Sequence, residues 1–330
     1  MKLGLQLGYW QAQPPTNHVA LAQEAERLGY DSVWTAEAWG SDAFTPLAWI
    51  GAQTSKIKLA TGIVQISART PASTAMHALT LDHLSHGRVI LGLGSGTRSM
   101  NVNWYSMPFD DPPAPRMREA TLLIRAAFAA QKGGGLKYEG KYYNVKIPQY
   151  ARPGAAREKI PIYLAAVNKH MIRTAATCAD GLIGHPIYTR KYIQEKVLPV
   201  LEDSACELAP YVITAISHDR DQARREARAQ IAFYYTTRLY HTVLDVHGWR
   251  GVGETIADAF RRMDFQAMQE AVSDELLDAI ALAGTPEDVR DQVAQWQGLS
   301  DHLLLYSPSV GMKPERVQEN LTAIAETFAS

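Results

Sequence analysis

The fold class this sequence predicts is α/β: one domain over residues 1–330, folded as an eight-stranded parallel (β/α)8 or TIM barrel with insertions at its C-terminal rim. Two observations carry this. Short apolar runs alternate with helical patterns along most of the chain, the rhythm of parallel βαβ units. The chain also has 330 residues with no repeat, low-complexity stretch or composition shift marking a boundary, a normal length for one barrel with insertions. An open doubly wound sheet is the alternative architecture.

The elements follow in order. Leu3, Leu5 and Leu7 alternate with small or polar residues, as in a first strand. Thr16 and Asn17 can cap a helix with Val19, Ala22, Ala25 and Leu28 on one face, and Gly29 suits its end. Residues 31–36 read as the second strand, 44–54 as a helix and 57–65 as the third strand. Pro71 opens a helix carrying Ala75, Met76, Leu79 and Leu84, stopped by Gly87. The fourth strand, RVILGLGSGT over 88–97, ends in a crowd of glycines. It misses the dinucleotide fingerprint G-x-G-x-x-G: Thr97 holds the third glycine's place, and three strand–helix units precede it.

The rhythm breaks over 98–160, read as a rim insertion: a helix at 116–131, a small hairpin at 136–145 and an irregular stretch at 147–158. It resumes with strands at 161–166, 181–184 and 211–217. Residues 219–283 read as mostly helical, with a helical insertion around 230–280. Thr285 and Pro286 then start a helix with Val289, Val293 and Trp296 at core spacing. His302 to Tyr306 is the eighth strand, and a helix closes the chain.

Lys and Arg number 33 against 34 Asp and Glu. That balance points away from nucleic acid or an anionic membrane as partner. Arg224-Arg225 and Arg261-Arg262 read as solvated helix faces. Cys178 and Cys206 sit in helix-like context and form no metal or redox motif. No apolar run approaches the roughly 18 residues of a membrane span, so the expected setting is the cytoplasm. Ile231, Phe233, Tyr234 and Tyr235 suit either barrel packing or a homodimer face.

In such a barrel the site lies at the C-terminal strand ends. Those ends are rich in glycine, alanine and aromatic residues and poor in metal-ligand or nucleophile patterns. Such a mouth suits a large planar cofactor that does the hard chemistry itself, acting on a small-molecule substrate. Trp10, Trp39, Trp104 and Tyr105 are candidate walls of the substrate pocket, with simple packing as the other reading.

The segments ATGIVQISARTP (60–71), LDHLSHGR (81–88) and LGLGSGT (91–97), followed by Trp104-Tyr105, resemble the bacterial luciferase-like superfamily, and most of all its F420-dependent oxidoreductase branch. LAAVN (164–168), ADGL (179–182) and AGTP (283–286) fit the same branch. The resemblance spans essentially the whole chain, and it implies a TIM barrel binding coenzyme F420, or FMN in sister branches. It also implies hydride transfer at C5 of F420. A non-prolyl cis peptide in a bulge of the third strand would fall at Gly62-Ile63, with Gln65 beside it. Gly94, Ser95, Gly96 and Thr97 would present backbone to the deazaflavin. Ala165, Ala166 and Val167 would line it, and Gly184 and His185 would meet its phosphate-bearing tail. Glu37 matches an aspartate that precedes a catalytic histidine in related sugar-phosphate dehydrogenases. Here Ala38 follows, and Thr97 stands near the place of their catalytic glutamate, so that sugar-phosphate reaction is not expected. Glu37 remains the candidate acid/base or cofactor-orienting group. The expected function is an F420-dependent oxidoreductase. An FMN-dependent monooxygenase and a non-catalytic deazaflavin-binding protein are the alternatives.

Overall fold

The computed structural model describes residues 1–8, 17–38, 40–130, 134–150 and 159–328. Among these, the strands in chain order are β1 (Lys2–Gln6), β2 (Ser32–Thr35), β3 (Lys58–Thr61) with its continuation β4 (Val64–Gln65), and β5 (Val89–Gly94). An antiparallel hairpin of β6 (Leu136–Glu139) and β7 (Asn144–Ile147) follows. Then come β8 (Ile162–Ala166), β9 (Gly181–Gly184), β10 (Glu207–Ile216), β11 (Leu282–Gly284) and β12 (His302–Tyr306). The ring runs β1-β2-β3-β5-β8-β9-β10-β12, all parallel, and β12 pairs back onto β1. It is a closed eight-stranded TIM barrel, which excludes the open sheet.

The helices are α1 (His18–Arg27), α2 (Phe44–Gly51), α3 (Pro71–Leu84), α4 (Pro113–Ala129), α5 (Lys169–Cys178), the short α6 (Arg190–Tyr192) and α7 (Leu198–Leu201), and α8 (Arg220–Tyr235). They continue through α9 (His241–Asp245), α10 (Arg250–Arg261), α11 (Phe265–Glu270), α12 (Asp274–Ile280), α13 (Pro286–Ala294) and α14 (Pro314–Thr327). Thr285 caps α13 as expected and does so in a capping box: its hydroxyl accepts from Asp288 N at 3.3 Å, and Asp288 accepts from Thr285 N at 2.9 Å.

Several expectations change. β10 starts at Glu207, not Tyr211, because Pro210 sits inside a strand that sequence patterning would deny it. The helical stretch ends at Ile280, since residues 282–284 form β11 on the edge of β10. On α3, Met76 and Leu84 are exposed, and the inward face is Ala75, Ala78 and Leu79. Cys206 lies in the turn before β10 rather than in a helix. Arg224 is no merely solvated charge: it bridges Asp274 and Asp278, 2.7 Å from each, and ties α8 to α12. Ile231 and Tyr235 are fully buried, so only Phe233 and the half-buried Tyr234 remain for a dimer face.

The barrel interior is filled by aromatic rings set against glycines. Trp34 packs 6.2 Å from Tyr163 and 6.1 Å from Tyr211, and Tyr211 packs 6.3 Å from Tyr306. A Cβ at Gly4 would stand 2.7 Å from the Trp34 indole nitrogen, and one at Gly181 would stand 2.6 Å from the Tyr163 ring. The strands can carry rings this large only because facing positions carry no side chain. At the N-terminal end of the barrel, Tyr163 donates to Glu207, His302 lies 3.3 Å from the same carboxylate, and Lys58 pairs with Asp31 at 2.8 Å.

Arg88, from the LDHLSHGR segment, clasps the outer layer. Its guanidinium donates to the carbonyls of Ser85, Ile57, Gly51 and Thr54 and to the Thr54 hydroxyl, at 2.7–3.0 Å. These bonds close the C-terminal end of α2 onto the start of β5. Lysine cannot span that fork. Arg88→Lys is expected to lower stability by about 3 kcal/mol in chemical denaturation, since buried carbonyls lose charged donors. An unchanged denaturation midpoint would refute the clasp.

His18, at the start of α1, is buried and donates to the Leu7 carbonyl, and burial pushes its pKa down to about 4. An unfolded histidine titrates near 6.5, so as pH falls the unfolded chain takes up the proton first. The stability that neutral His18 supports is intact above that value and is lost toward 4. Between about pH 7 and pH 5 this single group costs roughly 2 kcal/mol. His18→Gln should flatten the melting temperature across that window, and parallel curves for the two proteins would contradict it.

Candidate active site

The site is built around a break in the third barrel strand. β3 pairs with β5 up to Ala60↔Ile90, and β4 resumes at Val64↔Leu93. Three residues (61–63) therefore face two (91–92), a β-bulge. The peptide bond at Gly62-Ile63 is cis, where the sequence resemblance places it. Thr61 repairs the ladder with its side chain: its hydroxyl donates to Gly92 O at 2.9 Å and accepts from Gly92 N at 2.8 Å. On the other side Gly62 N donates to Thr35 O at 2.7 Å and Glu37 N to Ile63 O at 2.9 Å. Both glycines are obligatory. A Cβ at Gly92 would lie 1.9 Å from Thr61 O, and one at Gly62 would lie 1.8 Å from the Tyr211 hydroxyl, which donates to Gly62 O at 3.3 Å.

The bulge brings Glu37 and Gln65 together. Both are buried, and Gln65 Nε2 reaches the Glu37 carbonyl at 3.4 Å. One Glu37 carboxylate oxygen takes a close hydrogen bond from Arg69, whose guanidinium also sits 5.6 Å over the Phe44 ring. The other, Oε1, is buried with no partner among the described residues. Tyr105 lies beside this pair. Burial, and next the Glu37 charge, push its phenol up to about 12, so it stays protonated near neutral pH and can donate a hydrogen bond. Arg69 is the residue that sequence reasoning passed over. It is the only charged side chain in ATGIVQISARTP, and that alone could have flagged it.

The glycine-rich exit of β5 is held rigid. Asn101, buried, donates from Nδ2 to Ser95 O and Thr97 O, both at 2.8 Å. Gly96 has φ +65, and a Cβ there would lie 2.2 Å from Gln65 Oε1. Thr97 is exposed and accepts from Met100 N at 3.3 Å. Trp104 is 53% exposed, a poor wall for a closed pocket in this state. Trp10 and Trp39 lie outside the described residues.

Across the mouth, Ala165 and Val167 are half-buried and Ala166 is buried. Tyr188 donates to Ala166 O at 2.9 Å and Tyr192 to Val167 O at 2.5 Å, so those carbonyls already carry a bond each. Gly184 faces the Tyr188 ring, which a Cβ would meet at 2.7 Å. His185 packs 4.7 Å from Tyr234 and 4.3 Å from Tyr240, and burial pushes its pKa down to about 3. A neutral ring offers an anion one hydrogen bond, not an ion pair.

Four buried polar atoms at the ends of β1 to β4 have no partner among the described residues: Gln6 Nε2, Glu37 Oε1, Gln65 Oε1 and Ser67 Oγ. Buried polar groups are normally paired, so these four atoms are the candidates for contact with a polar ligand. A larger cavity of about 600 Å³, lined by Leu201, Cys206, Leu208 and Asp301, lies at the opposite end of the strands. Its Cys206 thiol is pushed up to about 12 by burial and is unreactive near neutral pH.

The luciferase-like monooxygenase family model matches residues 3–303. A Mycobacterium tuberculosis protein whose name assigns it as a coenzyme F420-dependent oxidoreductase is 36% identical over 327 residues, covering 90% of this chain and 92% of that one. A 5,10-methylenetetrahydromethanopterin reductase from Archaeoglobus fulgidus is 28% identical, covering 82% of each chain. The solved coenzyme F420-dependent tetrahydromethanopterin reductase of Methanopyrus kandleri matches with a TM-score of 0.83 at 25% identity, covering 99% of this chain and 97% of that one. With the barrel, the bulge and this match over nearly the full length, the chain belongs to the luciferase-like monooxygenase family.

Proposed function

We propose that this chain is a coenzyme F420-dependent oxidoreductase that passes a hydride between C5 of the deazaflavin and a small organic substrate. The observation that carries the reading is the bulge between β3 and β4, set beside buried atoms of Glu37, Gln65, Gln6 and Ser67 that have no partner among the described residues. The relatives named for F420 support it.

The residues present fit such a cofactor. A deazaflavin has a planar ring edged by donors and acceptors, and the mouth offers unpaired amide, carboxylate and hydroxyl atoms of both kinds. Gly62, Ile63 and Gln65 would back the ring. Gly94, Ser95, Gly96 and Thr97 would edge it, and Ala165, Ala166 and Val167 would leave it room. Gly184 and His185 would meet its tail. When bound, F420 supplies a hydride-transferring carbon that no protein side chain possesses.

The chain's own groups do the rest. Arg69 fixes Glu37 and leaves Oε1 to take or give the proton that accompanies hydride transfer. Tyr105, held protonated, hydrogen-bonds the Glu37 side chain and helps to hold it in place.

Fluorescence titration tests the cofactor. F420 is expected to bind about tenfold or more tightly than FMN. Tight FMN binding without F420 binding would favour a flavin-dependent monooxygenase instead. Gly62→Val drives a side chain into Tyr211 and should abolish F420 binding, and unchanged affinity would overturn the placement of the ring.

Glu37→Gln keeps the shape of the site and removes its base. Turnover of reduced F420 with a panel of enones, imines and ketones should fall by about 100-fold or more, while F420 affinity stays within a few-fold. Equal turnover would remove Glu37 from the chemistry. Absence of any turnover in the unaltered protein would favour a cofactor carrier.

A further inference from the structure

Large apolar side chains stand exposed on two opposite sides of the mouth. The first pair is on the π-helical turn Met100–Trp104 that follows β5, where Val102 is 39% exposed and Trp104 53%. The next residue, Tyr105, hydrogen-bonds the Glu37 side chain, so this turn borders the β2 exit. The second pair lies at the end of α8 and on the 3-10 turn Arg238–Tyr240 after it, where Phe233 is 47% exposed and Leu239 76%. Their chain neighbours fix this side too. Tyr234 donates to the Tyr306 hydroxyl at 3.0 Å, at the end of β12, and the Tyr240 ring lies 4.3 Å from His185, just past β9. The ring of strands sets β2 opposite β9 and β3 opposite β10. The two pairs are therefore lips of one opening, with the bulge between them.

Neither lip offers charge. Residues 99–107 hold no acidic or basic side chain and residues 229–237 none either, in a chain that is 20% charged. Below the second lip lie rings and not ions: Tyr234, Tyr240, Tyr306 and the His185 imidazole, which burial keeps neutral. A side chain as exposed as Trp104 is a poor wall for a closed pocket, but it suits a molecule that reaches out past the opening. Exposed apolar groups that continue a binding site mark where a ligand's own apolar surface is covered.

We propose that the two lips bind the substrate by a neutral hydrophobic body that extends beyond the mouth, with Trp104 and Leu239 as specificity-determining residues. The proposal names the substrate class of the oxidoreductase reading and rests on that reading for where the reacting carbon lies. Because the lips border one opening from opposite sides, a molecule that touches both lies across the bulge.

The test uses the whole chain and a series of 2-alkanones of four to ten carbons. Equilibrium dialysis reads their binding without cofactor, and turnover with reduced F420 reads their KM. Affinity is expected to rise about threefold with each added methylene. Trp104→Ala and Leu239→Ser should each weaken 2-decanone binding about fivefold or more and flatten the dependence on length. Trp49→Ala removes a ring on α2 that is 68% exposed, and it should change neither. An equal loss in Trp49→Ala would mean general surface adsorption and would overturn the proposal. So would affinities that ignore chain length. A shift in sedimentation velocity on either lip substitution would overturn it as well, because a second copy of the chain would then cover the lips. If the alkanones bind through the lips but reduced F420 is never consumed, the oxidoreductase reading falls and the lips stand. Turnover that ignores both length and lip substitutions leaves that reading in place and removes the lips.

Discussion

The contact between Tyr211 and Gly62 joins the packed barrel interior to the bulged strand. Below it, the barrel is packed with rings, Trp34, Tyr163 and Tyr211, that fit because opposing strands carry glycine. Above it, the third strand breaks. The Tyr211 hydroxyl donates to the carbonyl of the bulged residue and fills the volume that any side chain there would need. Core packing and site geometry thus meet at one hydroxyl. A well-packed interior is stiff, so the bulge is fixed by the same rings that stabilise the barrel.

A second layer of support is polar. Thr61 replaces a missing backbone bond with a side-chain one, and Asn101 stitches the β5 exit through two carbonyls. Arg69 does the same for Glu37. Thr61 and Asn101 satisfy groups that the irregular backbone would leave bare, and Arg69 pairs one Glu37 oxygen while the other stays open at the mouth. Rigidity and vacancy come from the same bonds, an arrangement suited to holding two reactants in register.

Most of the fold was legible in the sequence because it rests on local rules. Alternation at Leu3, Leu5 and Leu7, the glycine-ended fourth strand and the Thr285 cap each announce an element from a few neighbouring residues. The misses have long-range causes. Pro210 hides the start of β10, whose pairing with β9 is fixed by residues 26 positions earlier. Met76 and Leu84 look like core but face outward, since the neighbours of α3 choose its buried side. In the candidate site, Glu37, Gly62, Gln65 and Gly94 were reachable through strand-exit logic and family resemblance. Tyr211, Asn101 and Arg69 were not, because their importance lies in what they touch across the barrel and not in their neighbours along the chain.

Arg88 carries one more consequence. It sits in the LDHLSHGR stretch that helps to identify the family, yet every bond it makes is to the scaffold between α2 and β5. The signature therefore records ancestry of the frame and not of the chemistry. A relative could hold one ring or another at the mouth and still need this arginine for its frame. Divergence among such proteins is better followed at the bulge and at Arg69 than in the stretch by which the lineage is most easily found.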